Sequence, residues 1–119
     1  MRFRLIALPF VAALVLAGLA TGAATAPPQL AGTVGPGFTI SLKSAGKKVA
    51  TLKHGKYTFK VGDKSTIHNF TLNGPGQKNT TITATGFVGT KTATLTLKKG
   101  GYRFYCTVHP SVTGTFKVS

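Results

Sequence analysis

Three side chains of this sequence could bind a metal ion together. Cys106 and His109 are separated by two residues in the stretch Cys-Thr-Val-His-Pro, and His68 lies earlier in the chain. A Cys-x-x-His spacing can be half of a zinc site, but the single cysteine excludes a cysteine-rich structural one. One thiolate with two imidazoles is instead the donor set of blue-copper electron-transfer sites. His54, the remaining histidine, lies in a glycine-containing turn and is expected to be exposed.

The elements that must position these side chains have the sequence pattern of β-strands. Almost every segment after Gly37 alternates apolar and polar residues, which is the period of a half-buried strand. Glycine-containing turns separate the segments, and none of them has the 3.6-residue period of a helix. The candidate strands are 38–42, 48–52, 57–61, 67–72, 80–85, 93–97, 102–106 and 114–118. This pattern predicts an all-β Greek-key sandwich or barrel of seven or eight strands, with His68 inside the strand 67–72.

The N-terminal residues predict export. Two arginines precede an almost entirely apolar run from Leu5 to Ala20, and small residues follow. This order is typical of a secretory signal peptide, which we assign to residues 1–26. An uncleaved membrane anchor is the alternative, but the run is shorter than the roughly 20 residues that a transmembrane helix needs. Residues 27–37 are rich in proline and glycine and are interpreted as a flexible tether before a domain spanning 38–119.

Charge restricts the partners and the chemistry. The formal net charge is +14, and Asp63 is the only acidic side chain in the sequence. The lysines are scattered in ones and twos, which indicates a solvated cationic surface rather than a nucleic-acid groove. We therefore expect a monomer, free of any membrane span after cleavage, whose partner is an acidic redox protein or an anionic cell envelope. A single carboxylate leaves no acid–base pair for hydrolysis and no credible Ser-His-Asp set. We expect no enzyme activity, because the transfer of electrons by a metal site makes and breaks no substrate bond.

Three stretches of the sequence carry a family resemblance. They are Val61–Ser65 with Ile67–Phe70 and Gly74–Gly76, then Lys98–Cys106, then Cys106–Pro110 closing with Gly114–Val118. In content and order they resemble the plastocyanin/azurin-like cupredoxin family, especially its small secreted bacterial members. The resemblance implies that His68, Cys106 and His109 are equatorial copper ligands. It also implies that Asn69 hydrogen-bonds near the cysteine sulfur and fixes the ligand loop, although a polar turn or edge residue is an equal interpretation.

The sequence departs from this family at the axial position. Family members usually place a methionine a few residues after the second histidine, where Val112 or Thr113 stands here, and the only methionine is Met1. A copper site could therefore be three-coordinate beside a non-ligating Val112, or take a backbone carbonyl or a glutamine as axial ligand. Weak copper binding, or none, is the remaining alternative.

Three functions are compatible with these residues. The first is an extracytoplasmic type 1 copper electron carrier in which the electron enters at a partly exposed edge of His109. The second is copper storage or delivery in the cell envelope with the same ligands. The third is a metal-free β-sandwich that binds partners through its cationic surface. The size of the chain and its few histidines exclude multicopper oxidase and nitrite reductase chemistry.

Overall fold

The structure is a computed structural model that describes residues 25–119, and these residues form two β-sheets. The predicted signal peptide, residues 1–26, lies outside this range except for its last two residues. Within the range, no helix is long and apolar enough to cross a membrane. The strands are β1 (Gln29–Val34), β2 (Ile40–Ser44), β3 (Lys47–Lys48), β4 (Thr51–Leu52), β5 (Gly55–Asp63), β6 (Phe70–Gly74), β7 (Gln77–Thr83), β8 (Gly89–Leu97), β9 (Gly100–Tyr105) and β10 (Thr113–Val118). The predicted all-β sandwich is confirmed, with more strands than the seven or eight expected.

The two sheets have five strands each. The first has the order β3-β2-β1-β5-β8, and the second has the order β4-β10-β9-β6-β7. Strands that follow each other in the chain, such as β6 and β7 or β9 and β10, pair antiparallel. In contrast, β1 pairs with β5 and β4 pairs with β10 in parallel. The chain passes from one sheet to the other several times, so strands that are distant in the chain become neighbours. Such crossover connections are typical of a Greek-key sandwich.

Alternation along the strands places one hydrophobic core between the sheets. In β5, Tyr57, Phe59 and Val61 are buried, whereas the residues between them are more exposed. In the second sheet, the rings of Phe70 and Phe104 are stacked with their centroids 5.7 Å apart. The core is therefore aromatic close to the end of β9, where the predicted ligand Cys106 follows.

One glycine of β10 is fixed by this aromatic packing. Gly114 lies opposite Phe104 in the antiparallel pair of β9 and β10. A Cβ atom added at Gly114 would overlap the ring of Phe104, so a side chain at this position would displace the ring. The glycine at the second position of the last strand is thus a packing requirement.

The predicted tether is wrong. Residues 29–34 form strand β1, which lies in the middle of the first sheet between β2 and β5. Leu30 and Val34 are fully buried, and Gly32 lies against the ring of Phe70. The prolines and glycines that flank this short segment conceal an alternating pattern, and the strand is stabilised by pairing with β2 and with the more distant β5. The folded domain therefore begins near Gln29 and not at Phe38.

Two further strand predictions need correction. The segment 48–52 is not one strand, because β3 ends at Lys48 and β4 begins at Thr51, and the chain changes sheet between them. His68 lies before β6 rather than inside a strand. Asp63 Oδ1 accepts the backbone N–H of Ser65 at 3.0 Å, and Ser65 Oγ accepts the N–H of Ile67 at 3.3 Å. These two side-chain bonds turn the chain and delay the start of the strand.

The pairing of β6 with β9 decides where the predicted ligands meet. The two strands are antiparallel, and Thr71 near the start of β6 is opposite Tyr105 at the end of β9. The residues just before β6 are consequently beside the residues just after β9. His68 and Cys106, which are far apart in the sequence, are brought together at one end of the sandwich.

Candidate metal centre

The three predicted ligands form one cluster. The side-chain donor atoms of His68, Cys106 and His109 all lie within 4.8 Å of one another. The Nδ1 atoms of the two histidines are 3.1 Å apart, and the Cys106 Sγ atom is 4.0 Å from His109 Nδ1. His68 and Cys106 are fully buried, whereas His109 is half-buried. The cluster thus has two inner donors and one that reaches the surface.

A short closed loop holds two of these side chains. Cys106 follows β9, and its backbone N–H donates to the carbonyl oxygen of Val112 at 3.0 Å. The N–H of Val112 donates in turn to the carbonyl of His109 at 2.9 Å. The two bonds make the segment 106–112 a compact turn, so the thiol and the imidazole keep a fixed separation.

The donor atoms fit a single cation. A neutral imidazole carries one N–H, so the two Nδ1 atoms at 3.1 Å can share a hydrogen bond. With the protons on the Nε2 atoms instead, both Nδ1 atoms turn lone pairs toward the same point and can bind one ion. The other nitrogen of His68, Nε2, is buried and has no hydrogen-bond partner among the described residues. The ring therefore makes its polar contact through Nδ1. Two imidazoles with one thiolate suit a soft or borderline metal, and His₂Cys sets of this kind hold copper.

Asn69 connects the segments around the sulfur. Its backbone N–H donates to the Cys106 Sγ atom at 3.4 Å. Its side-chain Nδ2 donates to the hydroxyls of Thr85 at 3.0 Å and Thr107 at 2.7 Å. Its Oδ1 accepts the Thr107 N–H at 3.1 Å and the Thr71 hydroxyl at 2.9 Å. The backbone N–H contacts the sulfur directly, and the side chain fixes the chain on both sides of the ligand.

Phe38 is a site residue that the sequence analysis missed. Its ring centroid lies 5.1 Å from the ring of His68 and 5.2 Å from the ring of His109, in T-shaped contacts. The side chain is 66% exposed, and it precedes β2 rather than beginning a strand. The alternating pattern of 38–42 concealed it, because only the folded chain shows that the loop between β1 and β2 reaches the ligands.

Val112, Thr113 and His54, the other residues that the sequence analysis considered for the metal site, do not belong to the cluster. Val112 is 3% exposed and belongs to the hydrophobic core, and it offers no donor side chain. Thr113 is exposed, and its hydroxyl accepts a hydrogen bond from Arg103 Nε at 2.9 Å. His54 is also exposed, with its Nδ1 atom 3.0 Å from the carbonyl oxygen of Ser119. His54 is therefore an outlying histidine and not a member of the cluster.

The sandwich and its His-Cys-His cluster together define a cupredoxin fold. The chain is similar to a solved structure of the copper protein rusticyanin, with 18% identity, 76% of each chain covered and a TM-score of 0.52. A structure of reduced rusticyanin has 19% identity and a TM-score of 0.52, with 76% of this chain and 78% of that chain covered. A methionine-to-glutamine mutant of rusticyanin has 20% identity, 76% coverage of each chain and a TM-score of 0.51.

These similarities concern the fold. No family model matches the sequence, and no curated protein matches it. The assignment of a function to the cluster therefore depends on the geometry and chemistry of its own residues.

Proposed function

We propose that this protein binds one copper ion through His68, Cys106 and His109 and transfers electrons outside the cytoplasm. The observation that carries the proposal is the convergence of one nitrogen atom from each of the two histidines and one Sγ atom within 4.8 Å. A copper ion held there would supply a one-electron Cu(I)/Cu(II) couple. The signal peptide that we propose for residues 1–26 supports a location beyond the cytoplasmic membrane.

The protein's contribution is to keep the donors in place. The closed turn from Cys106 to Val112 and the bonds of Asn69 hold the thiolate, and the burial of His68 fixes its ring. Donors that move little between two oxidation states keep the reorganisation small when an electron is gained or lost. No substrate bond is made or broken in this activity, so the proposed role is that of a carrier and not of an enzyme.

The described residues offer the proposed copper site no thioether ligand. The only methionine in the sequence is Met1, so no thioether is available among residues 25–119. Val112 occupies a buried position in the ligand loop, and its side chain cannot coordinate. Because the axial donor tunes the potential of such sites, we propose that this set of donors favours Cu(I) and has a high reduction potential.

The surface around His109 suits electron transfer to a partner. Phe38 is in contact with the half-buried ring of His109 and is itself exposed. The sequence neighbours of the two histidine ligands, Ile67 and Val108, are 48% and 55% exposed. Exposed apolar side chains next to a ligand ring let a partner approach without the desolvation of charges. The cationic remainder of the surface would attract an acidic redox partner, with association rates that fall as salt rises.

The test is titration of the purified protein with Cu(II). We expect binding of one equivalent with an intense visible thiolate-to-copper charge-transfer band. Cys106→Ala should abolish the band, whereas His54→Ala, which removes a histidine outside the cluster, should leave it unchanged. A protein that stays colourless and loses all copper on dialysis would contradict the proposal and would leave a metal-free binding module.

The missing thioether keeps copper delivery as a second candidate. A site with three donors can release its ion to an acceptor more readily than a site with four. Copper transfer from the loaded protein to a competing chelator, measured beside repeated oxidation and reduction, separates the two roles. Retention of copper through many redox cycles supports the carrier, and rapid loss to the chelator supports delivery.

A further inference from the structure

A row of five paired residues, three of them lysines, crosses the outer face of the first sheet perpendicular to its strands. Lys48 on β3 pairs with Lys43 on β2, and Lys43 pairs with Ala31 on β1. Ala31 pairs in turn with Lys60 on β5, and Lys60 pairs with Thr92 on β8. Residues paired across strands have their side chains on the same face. All five residues are exposed, so the row is open to solvent from one edge of the sheet to the other.

The spacing within this lysine row follows from the sheet. Neighbouring strands are roughly 4.8 Å apart, so the Cα atoms of Lys48 and Lys43 are about 5 Å apart and those of Lys43 and Lys60 about 10 Å apart. The small side chain of Ala31 lies between the last two. The row therefore carries three lysines over about 14 Å from Lys48 to Lys60, with a small side chain between Lys43 and Lys60.

Hydroxyl groups continue the row toward the edge strand β8. Thr94 lies two residues along from Thr92, and its Oγ1 is 3.2 Å from the Oγ1 of Thr58 on the neighbouring strand. Threonine hydroxyls and lysine ammonium groups are common contacts of phosphate oxygens. No side-chain carboxylate neutralises this face, because Asp63 is the only acidic side chain in the sequence and is 2% exposed.

We propose that the lysine row, Lys43, Lys48 and Lys60, is a docking surface for a linear polymer that carries closely spaced phosphate groups. A chain laid across the strands can contact successive ammonium groups in one line. The site lies on the outer face of the first sheet, whereas the His-Cys-His cluster lies at one end of the sandwich, where β6 begins and β9 ends. The protein can thus be held on a polyanion while His109 stays accessible.

The chemistry of the row favours a polymer over a lipid surface. The row and the threonines beside it contain no large apolar side chain that could enter the acyl region of a membrane. The exposed large apolar side chains are Phe38, Ile67, Val88 and Val108, and none of them belongs to the row. A membrane anchored by these residues would cover the metal end instead.

The experiment measures binding of the protein, without added metal, to inorganic polyphosphate at physiological salt. We expect the triple variant Lys43→Gln, Lys48→Gln, Lys60→Gln to bind about tenfold more weakly and to lower the slope of log affinity against log salt by about 2 to 3. Replacement of the same three residues by arginine should retain binding. A single Ala31→Glu change, which puts a carboxylate into the row, should also weaken binding.

The matched control removes three lysines associated with the second sheet, through Lys78→Gln, Lys99→Gln and Lys117→Gln. It lowers the net charge by the same amount, but the Debye length of about 8 Å screens charges far from the bound polymer. We expect less than about a twofold loss from this control. An equal loss in both triple variants, or no loss in the row variant, would overturn the proposal. So would row-dependent binding to phosphatidylglycerol vesicles that equals or exceeds binding to polyphosphate. Because no copper is added, a negative result here is independent of the outcome of the Cu(II) titration.

Discussion

Replacement of Asn69 by alanine tests how the ligand segments are held together. The side chain is 4% exposed and makes four hydrogen bonds, two of them to Thr107. Each hydrogen bond contributes about 1 kcal/mol net to stability. Loss of all four bonds would therefore lower the free energy of unfolding by at most about 4 kcal/mol. Thr85 and Thr107 are exposed and can bond water instead, and Thr71 keeps the hydroxyl of Thr81 at 3.1 Å. We therefore expect a loss of about 2–3 kcal/mol in the free energy of unfolding.

Urea unfolding of the protein without added metal measures this loss. With a slope of about 1–3 kcal/mol per molar urea, the midpoint of Asn69→Ala should fall by about 1–2 M at an unchanged slope. Asn69→Asp keeps the two bonds that Oδ1 accepts and should fall between the two proteins. The control is Asn73→Ala, because Asn73 is exposed and its Oδ1 accepts only the Asn79 N–H at 3.2 Å. A midpoint equal to that of the unmodified protein, or an equal effect of the control, would refute the reasoning.

The same variant separates stability from metal binding. The backbone N–H of Asn69, and not its side chain, donates to the Cys106 Sγ atom. Asn69→Ala should therefore keep the charge-transfer band that we expect of the copper-loaded protein, while the unfolding midpoint falls. Loss of the band at full occupancy would mean that the side chain, and not the backbone, controls the thiolate.

Three further substitutions have definite expected outcomes. Gly114→Ala should lower the free energy of unfolding by about 1–3 kcal/mol because its Cβ would displace the ring of Phe104, whereas Gly101→Ala, where nothing lies within 4 Å of the added atom, should have little effect in the same urea assay. Val112→Met offers a thioether in the ligand loop and should lower the reduction potential of the copper-loaded protein in voltammetry; a potential that is unchanged or higher would exclude an axial role for this position. Phe38→Ala removes the contacts with both histidine rings and should speed the loss of copper to a chelator, with Phe38→Leu intermediate; equal release rates in all three proteins would show that the ring does not shield the site.

The sequence pattern predicted the part of the site whose residues are close together in the chain. Cys106 and His109 share one short turn, so their spacing alone indicates that they act on the same ion. His68 was grouped with them because of its donor type and because of the resemblance to a family, and the structure explains how it reaches them by the register of β6 against β9. A pairing between distant strands of this kind has no signal in the spacing of residues.

The strand and site predictions that the structure corrects or completes failed for separate physical reasons. Strand β1 is supported by β2 and by the distant β5, while its own residues are small and are flanked by proline and glycine. Residues around His68 alternate like a strand, but the side chains of Asp63 and Ser65 bond to nearby N–H groups and turn the chain first. Phe38 becomes a site residue only through its contacts with two rings from other segments.

The central place of β1 in the first sheet has a consequence for any shortened form of the chain. A protein that begins at Phe38 would lose β1 and leave the facing backbone groups of β2 and β5 unpaired. Two open strand edges on either side of a gap are a template for another chain, and the segment that fits the gap best is β1 of a second molecule. Proteolytic trimming of only ten or so residues at this end would therefore turn a self-contained sandwich into an acceptor for strand exchange and aggregation.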